Sequence, residues 1–236
     1  MVIHRDYPCN ADNYQRGRAQ PVSFLVIHYV GATGGARNNA KYYGRTPGIG
    51  ASAHYFVGHA SEGADVWQSV AEADTAWHCG RSDGKYKHPT CRNANSIGIE
   101  MCCHQDAKGN WYIDEATLAA AAELGREIMA RYGIPPDHVL RHYDVTGKLC
   151  PRPLIDEDKW TAFKARLEDT MTQEQFNSMM DTYLAQLRAQ EVSDWGEAAW
   201  KKAMAAGVFD GTAPQASLTR EQAALVLDRL GLLEGR

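Results

Sequence analysis

Residues 21–31, PVSFLVIHYVG, are the stretch on which the prediction of the fold rests. The run from Phe24 to Ile27 is continuously apolar and contains valine and isoleucine, which is typical of a strand buried on both faces. We therefore predict a central strand that ends at Gly31. His28 lies near its end, where a histidine is most often a hydrogen-bonded core residue and otherwise a candidate metal ligand.

Further strands and helices are predicted on either side of this strand. Residues 51–70 have the pattern of two short strands joined by a polar turn that contains glycine. Residues 95–104 alternate, so that isoleucine and methionine side chains share one face and Glu100 lies on the other. Residues 114–132 have helical periodicity and are followed by Gly133. Strands mixed with covering helices predict an α/β fold around one sheet.

The bulk composition excludes several classes of protein. The chain has 236 residues and a formal net charge of −4, without the cationic excess that a phosphate-binding surface needs, so no nucleic-acid partner is predicted. It contains no apolar run of the roughly 20 residues that span a bilayer. The N-terminal residues lack the layout of a signal peptide, which predicts a protein kept in the cytosol or released by a route the sequence does not encode. The six cysteines have no regular spacing, although Cys79 and Cys91 flank one loop and could pair after export.

The character of the chain changes near residue 170. We predict an α/β domain over residues 1–168 and a small all-helical domain over residues 171–236, where no strand pattern occurs. Thr172 and Gln175 form a capping-box pattern at the start of its first helix. The apolar residues that follow at helical spacing are Phe176, Met179, Met180, Tyr183, Leu184 and Leu187.

The candidate chemistry centres on RHYDVTGKLCPRP, residues 141–153. His142 and Cys150 flank a loop that Gly147 allows to fold back on itself. Zinc takes imidazole and thiolate ligands, and a catalytic zinc has three protein ligands and an open position. His28 is the natural third ligand, whereas the alternative is a buried structural thiol. Spacing alone leaves these two interpretations balanced.

Two charged residues fit a hydrolytic zinc site. Glu100 lies in an otherwise apolar strand, where it is either a general base or a solvent-facing residue at an edge. Lys148 lies between the two proposed ligands. It is either an ordinary surface lysine or a cation that stabilises an oxyanion.

Five stretches of the sequence, in order, resemble the type 2 N-acetylmuramoyl-L-alanine amidase family, which shares its fold with peptidoglycan recognition proteins. They are FLVIHYVGA, ASAHYFVG, TAWHCG, NSIGIEM and RHYDVTGKLCPRP. The resemblance implies a central mixed β-sheet covered by helices, and it implies that residues 1–168 are a zinc amidase catalytic domain.

The resemblance also implies roles for individual residues. His28, His142 and Cys150 match the Zn²⁺ ligands, Glu100 the catalytic acid/base, and Lys148 the residue that assists the transition state. The weaker matches are Trp77 and His78, which correspond to residues lining the substrate groove, and His54, which corresponds to a segment that flanks the site. Ala53 stands where some branches carry a catalytic tyrosine, so that role does not carry over.

The implied reaction is hydrolysis of the amide between N-acetylmuramic acid and L-alanine in peptidoglycan. Glu100 would take a proton from zinc-bound water and return one to the leaving nitrogen. Lys148 and the metal would hold the oxyanion. A chain of this kind resembles a phage or prophage endolysin, which waits in the host cytoplasm until it is released to the cell wall.

Rival functions differ in what the site does. Recognition proteins on this fold bind peptidoglycan without cutting it, and those members characteristically lack the cysteine ligand. Cleavage of another amide, such as that of an anhydro-muropeptide, is a third option. The glycines of GATGG, residues 31–35, resemble a dinucleotide-binding turn, but the region that should supply the acidic residue of such a site has none.

The helical tail resembles a single S-layer-homology repeat. Its helices are predicted over residues 194–206 and 219–231, and it contains AGVFDGT and LTREQAALVL. Attachment to cell-wall polymers, pairing between copies of the chain as a homo-oligomer, and simple intramolecular packing are the three roles that fit it.

Overall fold

The computed structural model of the protein describes residues 2–80, 83–168 and 173–233. The chain divides into two compact units, residues 1–169 and 170–236. Among the described residues, no helix is long and apolar enough to cross a membrane.

The first unit contains a central sheet and the helices that cover it. Its strands are β1 (Ile3–His4), β2 (Tyr14–Gln15), β3 (Phe24–Tyr29), β4 (Tyr55–Val57), β5 (Val66–Gln68), β6 (Thr75–Ala76), β7 (Ser96–Met101), β8 (His104–Gln105), β9 (Trp111–Tyr112) and β10 (Val139–Arg141). Its α-helices are α1 (Ala36–Arg45), α2 (Glu115–Tyr132), α3 (His142–Thr146) and α4 (Glu157–Ala165). Short 3-10 turns occur at Ala11–Asn13, Ala60–Glu62, Asn93–Asn95, Pro136–His138 and Arg152–Leu154.

The main sheet has six strands in the order β1-β5-β4-β7-β3-β10. Strand β3 is parallel to both of its neighbours, β7 and β10, and β4 is parallel to β7. Strands β4 and β5 form an antiparallel hairpin, which confirms the two strands predicted over residues 51–70. The predicted α/β fold with a central mixed sheet is therefore confirmed for this unit.

The alternation of side chains along β3 separates two parts of the core. Leu25 and Ile27 pack in the main hydrophobic cluster with residues of α2 and α4. Phe24 and Val26 belong to a smaller cluster on the other face. Complete burial of each such side chain stabilises the fold by about 1.5–3 kcal/mol, and it fixes the face from which His28 projects.

The start of α2 differs in detail from its prediction. Asp114 occupies the N-cap position, but its side chain caps no helical N–H. Its Oδ2 instead accepts a hydrogen bond from the backbone N–H of Ala60 at 2.9 Å and lies 2.9 Å from Nε2 of His104. The helix ends at Gly133, which adopts a left-handed φ of 64°, as the sequence predicts.

The second unit contains the helices α5 (Gln173–Arg188), α6 (Glu197–Ala205) and α7 (Arg220–Arg229). The backbone N–H of Gln222 donates to Thr219 Oγ1 at 3.1 Å and that of Thr219 donates to Gln222 Oε1 at 2.9 Å, forming a capping box before α7. The capping box predicted at Thr172 lies outside the described residues.

The predicted apolar stripe of α5 is open to solvent over much of its length. Phe176, Met179 and Tyr183 are exposed by 49%, 60% and 54%. These three side chains therefore do not complete a core.

Candidate active site

The direction of three strands determines where the site forms. Strands β10, β3 and β7 are parallel, so their carboxyl ends lie at the same edge of the sheet, which is where open α/β sheets bind ligands. His28 lies near the end of β3 and Glu100 near the end of β7, and the two are register partners. His142 follows β10 directly as the first residue of α3.

The chain returns to this edge after α3. Gly147 ends the helix with a φ of 85°, in the left-handed region that favours glycine. The backbone N–H of Tyr143 donates to the carbonyl of Cys150 at 2.8 Å, which holds the returning segment beside the helix. As a result, Cys150 Sγ lies 3.6 Å from His28 Nδ1.

His28, His142 and Cys150 form a compact cluster. One ligand atom from each residue lies within 4.8 Å of those from the other two. The residues are exposed by only 1%, 4% and 2%. The two imidazole rings meet at 70° with centroids 4.9 Å apart, so their planes cross.

This cluster fits zinc by two independent criteria. Two imidazoles and one thiol are donors that zinc accepts, and three protein ligands leave the fourth tetrahedral position open. In addition, His142 Nδ1 is buried and has no hydrogen-bond partner. A buried nitrogen of this kind is costly unless something binds it.

The surroundings keep both histidines neutral. Burial, followed by the nearby His142 and His78, holds the pKa of His28 well below its usual value. Burial together with the charge of Lys148 lowers the pKa of His142 to about 3. Each imidazole therefore offers an unprotonated nitrogen at neutral pH, as metal binding requires. Burial raises the pKa of Cys150, and a bound cation would favour its thiolate.

Glu100 lies beside the cluster. Its Oε1 is 3.9 Å from His28 Nδ1, and 21% of its side-chain surface remains accessible. Its Oε2 is buried and has no hydrogen-bond partner. Burial raises the pKa of Glu100 to about 8, against the opposing effect of Lys148. A carboxyl group with a pKa near neutrality is suited to exchange a proton during a reaction.

Lys148 is exposed and lies on the loop between His142 and Cys150. Its positive charge lowers the pKa of Glu100 and of both cluster histidines. Lys148 therefore acts electrostatically on Glu100 and on both histidines.

The structure places the three predicted substrate contacts differently from one another. His54 is completely buried and His78 is 8% exposed. His78 contacts His28, with its Nδ1 3.0 Å from Nε2 of His28, and the substrate contacts predicted for His54 and His78 stay predictions. Trp77 is half-buried, and its groove role stays a prediction.

A second cluster, of His59, His104 and Asp114, escaped the sequence analysis because its members are far apart in the chain. Their ligand atoms also lie within 4.8 Å of one another. The two imidazole rings stack 4.1 Å apart at 28°, and His59 Nδ1 is buried without a hydrogen-bond partner. His104 is also engaged by Asp114. This cluster joins a turn, a hairpin and the start of α2.

Comparisons with known proteins show which proteins this chain is similar to. The N-acetylmuramoyl-L-alanine amidase CwlL of Bacillus licheniformis is 31% identical over 158 residues, which are 64% of this chain and 42% of that protein. The amidase BlyA of Bacillus subtilis (strain 168) is 31% identical over 167 residues, 66% of this chain and 43% of that protein. The chain thus spans about two fifths of the length of these curated relatives.

Two solved structures match 71% of this chain over nearly their whole length. The catalytic domain of XlyA matches with a TM-score of 0.56 and 27% identity, covering 71% of this chain and 99% of that one. A mutant endolysin from Bacillus subtilis matches with a TM-score of 0.56 and 29% identity, with the same coverage. The model of the family "N-acetylmuramoyl-L-alanine amidase" matches residues 18–153, which contain the whole cluster. The chain belongs to the N-acetylmuramoyl-L-alanine amidase family.

Proposed function

We propose that the protein is a zinc-dependent N-acetylmuramoyl-L-alanine amidase that hydrolyses the amide between N-acetylmuramic acid and L-alanine in peptidoglycan. The observation that carries this proposal is the convergence of two neutral imidazoles and one thiol beside a half-buried carboxyl group. Membership of the amidase family supports the choice of bond.

Each residue of the site has a separate role in the proposed reaction. His28, His142 and Cys150 would hold a zinc ion, which when bound supplies a Lewis acid that activates water and polarises a carbonyl. Glu100 accepts the proton of the attacking water and delivers a proton to the departing nitrogen of L-alanine. Lys148 stabilises the negative charge that develops on the carbonyl oxygen.

The test combines metal analysis with an assay for newly exposed L-alanine amino groups on purified cell walls. We expect one zinc per chain and release of amino groups, and Cys150→Ala should lose both. Cys9→Ala is the matched control, because it removes another buried thiol that packs in a separate cluster, and it should retain both. If the wild-type protein sediments with walls but releases no amino groups, it is a binding module and the proposal fails.

The size of the substrate can be tested in the same assay. We expect the protein to cleave intact walls faster than soluble anhydro-muropeptides. The reverse preference would assign the protein to the turnover of wall fragments.

We further propose that the protein is an endolysin that acts on the wall after release from the host cytoplasm. Similarity to an endolysin structure supports this setting. For the helical unit we propose wall attachment, as in an S-layer-homology repeat. A hollow of about 340 Å³, lined in part by Trp195, Trp200 and Phe209, supports this role. Self-association through the exposed stripe of α5 is the alternative, and light scattering of the full chain would distinguish a monomer from an oligomer.

A further inference from the structure

The two nitrogens of His28 face different partners. Nδ1 faces the cluster, 3.6 Å from Cys150 Sγ and 3.9 Å from Glu100 Oε1. Nε2 points away from the cluster and lies 3.0 Å from Nδ1 of His78. A neutral imidazole carries one proton, so the proton on His28 must reside on one of these two sides.

A chain of hydrogen bonds through Arg92, Ser96 and His78 determines which nitrogen of His28 carries the proton. Ser96 Oγ lies 2.7 Å from the carbonyl oxygen of Arg92, which can only accept, so the hydroxyl donates to it. The same Oγ lies 3.1 Å from His78 Nε2, and it must accept there because its proton is already used. His78 therefore carries its proton on Nε2 and accepts at Nδ1 from Nε2–H of His28.

We infer that His78 is a positioning residue that fixes His28 in the tautomer whose Nδ1 lone pair faces the cluster. The inference rests on the metal site of the proposed function. Metal-bound histidines generally donate their second ring N–H to such a partner, which sets both tautomer and ring orientation.

The surroundings of His78 are shaped to hold this ring. A Cβ atom at Gly98 would lie 2.6 Å from His78 Cγ, so the imidazole rests directly on the backbone of β7 and only glycine fits beneath it. The backbone N–H groups of His78 and Cys79 both donate to Asn93 Oδ1, at 3.1 and 2.8 Å. Gly98 thus supports one face of the ring, and Ser96 bonds its Nε2. Asn93 holds the backbone of His78.

The test uses two substitutions at one position. His78→Phe keeps a ring of similar size but removes the acceptor, whereas His78→Asn places an amide oxygen near the position of Nδ1. Zinc affinity is measured by competition with a chelator, and the tautomer of His28 by ¹⁵N NMR of the zinc-free protein. We expect His78→Phe to weaken zinc binding roughly 10–100-fold and to mix the tautomers, and His78→Asn to restore most of both.

Two further variants keep the inference falsifiable if His78→Phe fails to fold. Ser96→Ala leaves the ring in place but removes its anchor, and it should mix the tautomers of His28. His138→Phe is the matched control, because this histidine bonds the Ser23 carbonyl away from the cluster and should leave zinc affinity unchanged. An unchanged tautomer and zinc affinity in both His78→Phe and Ser96→Ala would overturn the inference. A wild-type protein that binds zinc but cleaves no amide would refute only the proposed function.

Discussion

His28 and Glu100 are register partners on the neighbouring parallel strands β3 and β7, and the two side chains approach within 3.9 Å on one face of the sheet. Neighbouring strands lie about 4.8 Å apart, and the backbone hydrogen bonds of the sheet maintain that spacing. The proposed base and a proposed ligand are therefore positioned by the most buried part of the fold. Sites built on strands hold their geometry better than sites built on loops.

This arrangement predicts that Glu100 can be changed without loss of the metal. Glu100→Gln preserves the shape of the side chain but cannot accept a proton, so turnover should fall by about 10²–10⁴-fold. Zinc content should equal that of the wild type, because the amide replaces no ligand of the cluster. Metal analysis and the amino-group assay on the same sample check both statements. Activity within tenfold of the wild type would exclude Glu100 as the base.

Arg141 is predicted to be a major determinant of stability next to the site. It is 4% exposed, and its guanidinium donates to Asp144, to Glu157 and to the carbonyls of Leu154 and Ile155. Lysine cannot reproduce this planar set of donors, so Arg141→Lys should lower the free energy of unfolding by about 2–4 kcal/mol. Urea denaturation measures the change.

A surface ion pair provides the control for Arg141. Arg166 pairs with Glu115, and their side chains are exposed by 35% and 73%. Arg166→Lys should change the free energy of unfolding by less than about 1 kcal/mol. Equal losses of unfolding free energy in Arg141→Lys and Arg166→Lys would show that burial of the arginine does not set its contribution to stability.

Asp114 should contribute a pH-dependent part of the stability. Burial tends to raise its pKa, but the N–H of Ala60 and the ring of His104 outweigh that effect, so the pKa of Asp114 is lowered. A carboxyl group with a depressed folded-state pKa stabilises the protein above its unfolded pKa of about 3.9, and this contribution is lost as pH falls through the folded value. Asp114→Asn should therefore cost about 1 kcal/mol near pH 7, and the difference should shrink in acid. A difference that stays constant from neutral pH to about pH 3 would contradict this account.

The helical unit is predicted to act through Trp195. This side chain is 91% exposed, so Trp195→Ala should leave the melting temperature unchanged. If the unit binds the wall, sedimentation with purified walls should weaken at least about fivefold. Tyr42→Ala is the control, because it removes an exposed aromatic side chain of the first unit. Equal sedimentation of Trp195→Ala and wild type would remove Trp195 from the binding surface.

The sequence allowed prediction of those parts of the site that local pattern determines. His28 and Glu100 interrupt apolar strands near their ends, and His142 and Cys150 belong to one short loop, so their types and positions indicate metal chemistry. The orientation of His78 could not be predicted in this way. Its ring packs on Gly98 and bonds Ser96, which lies 18 positions away in the chain, and no local pattern predicts that contact.

Asp114 illustrates the same limit for the fold. A helix-start pattern correctly predicts where α2 begins, because capping residues and helical periodicity are local signals. The carboxylate nevertheless bonds Ala60, whose turn comes from a distant part of the chain. A local sequence pattern carries no information about a distant backbone N–H, here that of Ala60, that competes with the helix for the carboxylate.

The hydrogen bond between Tyr143 and Cys150 closes residues 143–150 into a small loop, and this loop together with the adjacent His142 contains two of the three proposed ligands. The third, His28, belongs to the interior strand β3, whereas this loop follows β10 at the border of the sheet. Shared coordination would cross-link the border of the sheet to its interior. Removal of the ion with a chelator should therefore increase amide hydrogen exchange within residues 142–150 well before exchange rises in β3. The ion would then stabilise the end of the first unit in addition to any role in the reaction.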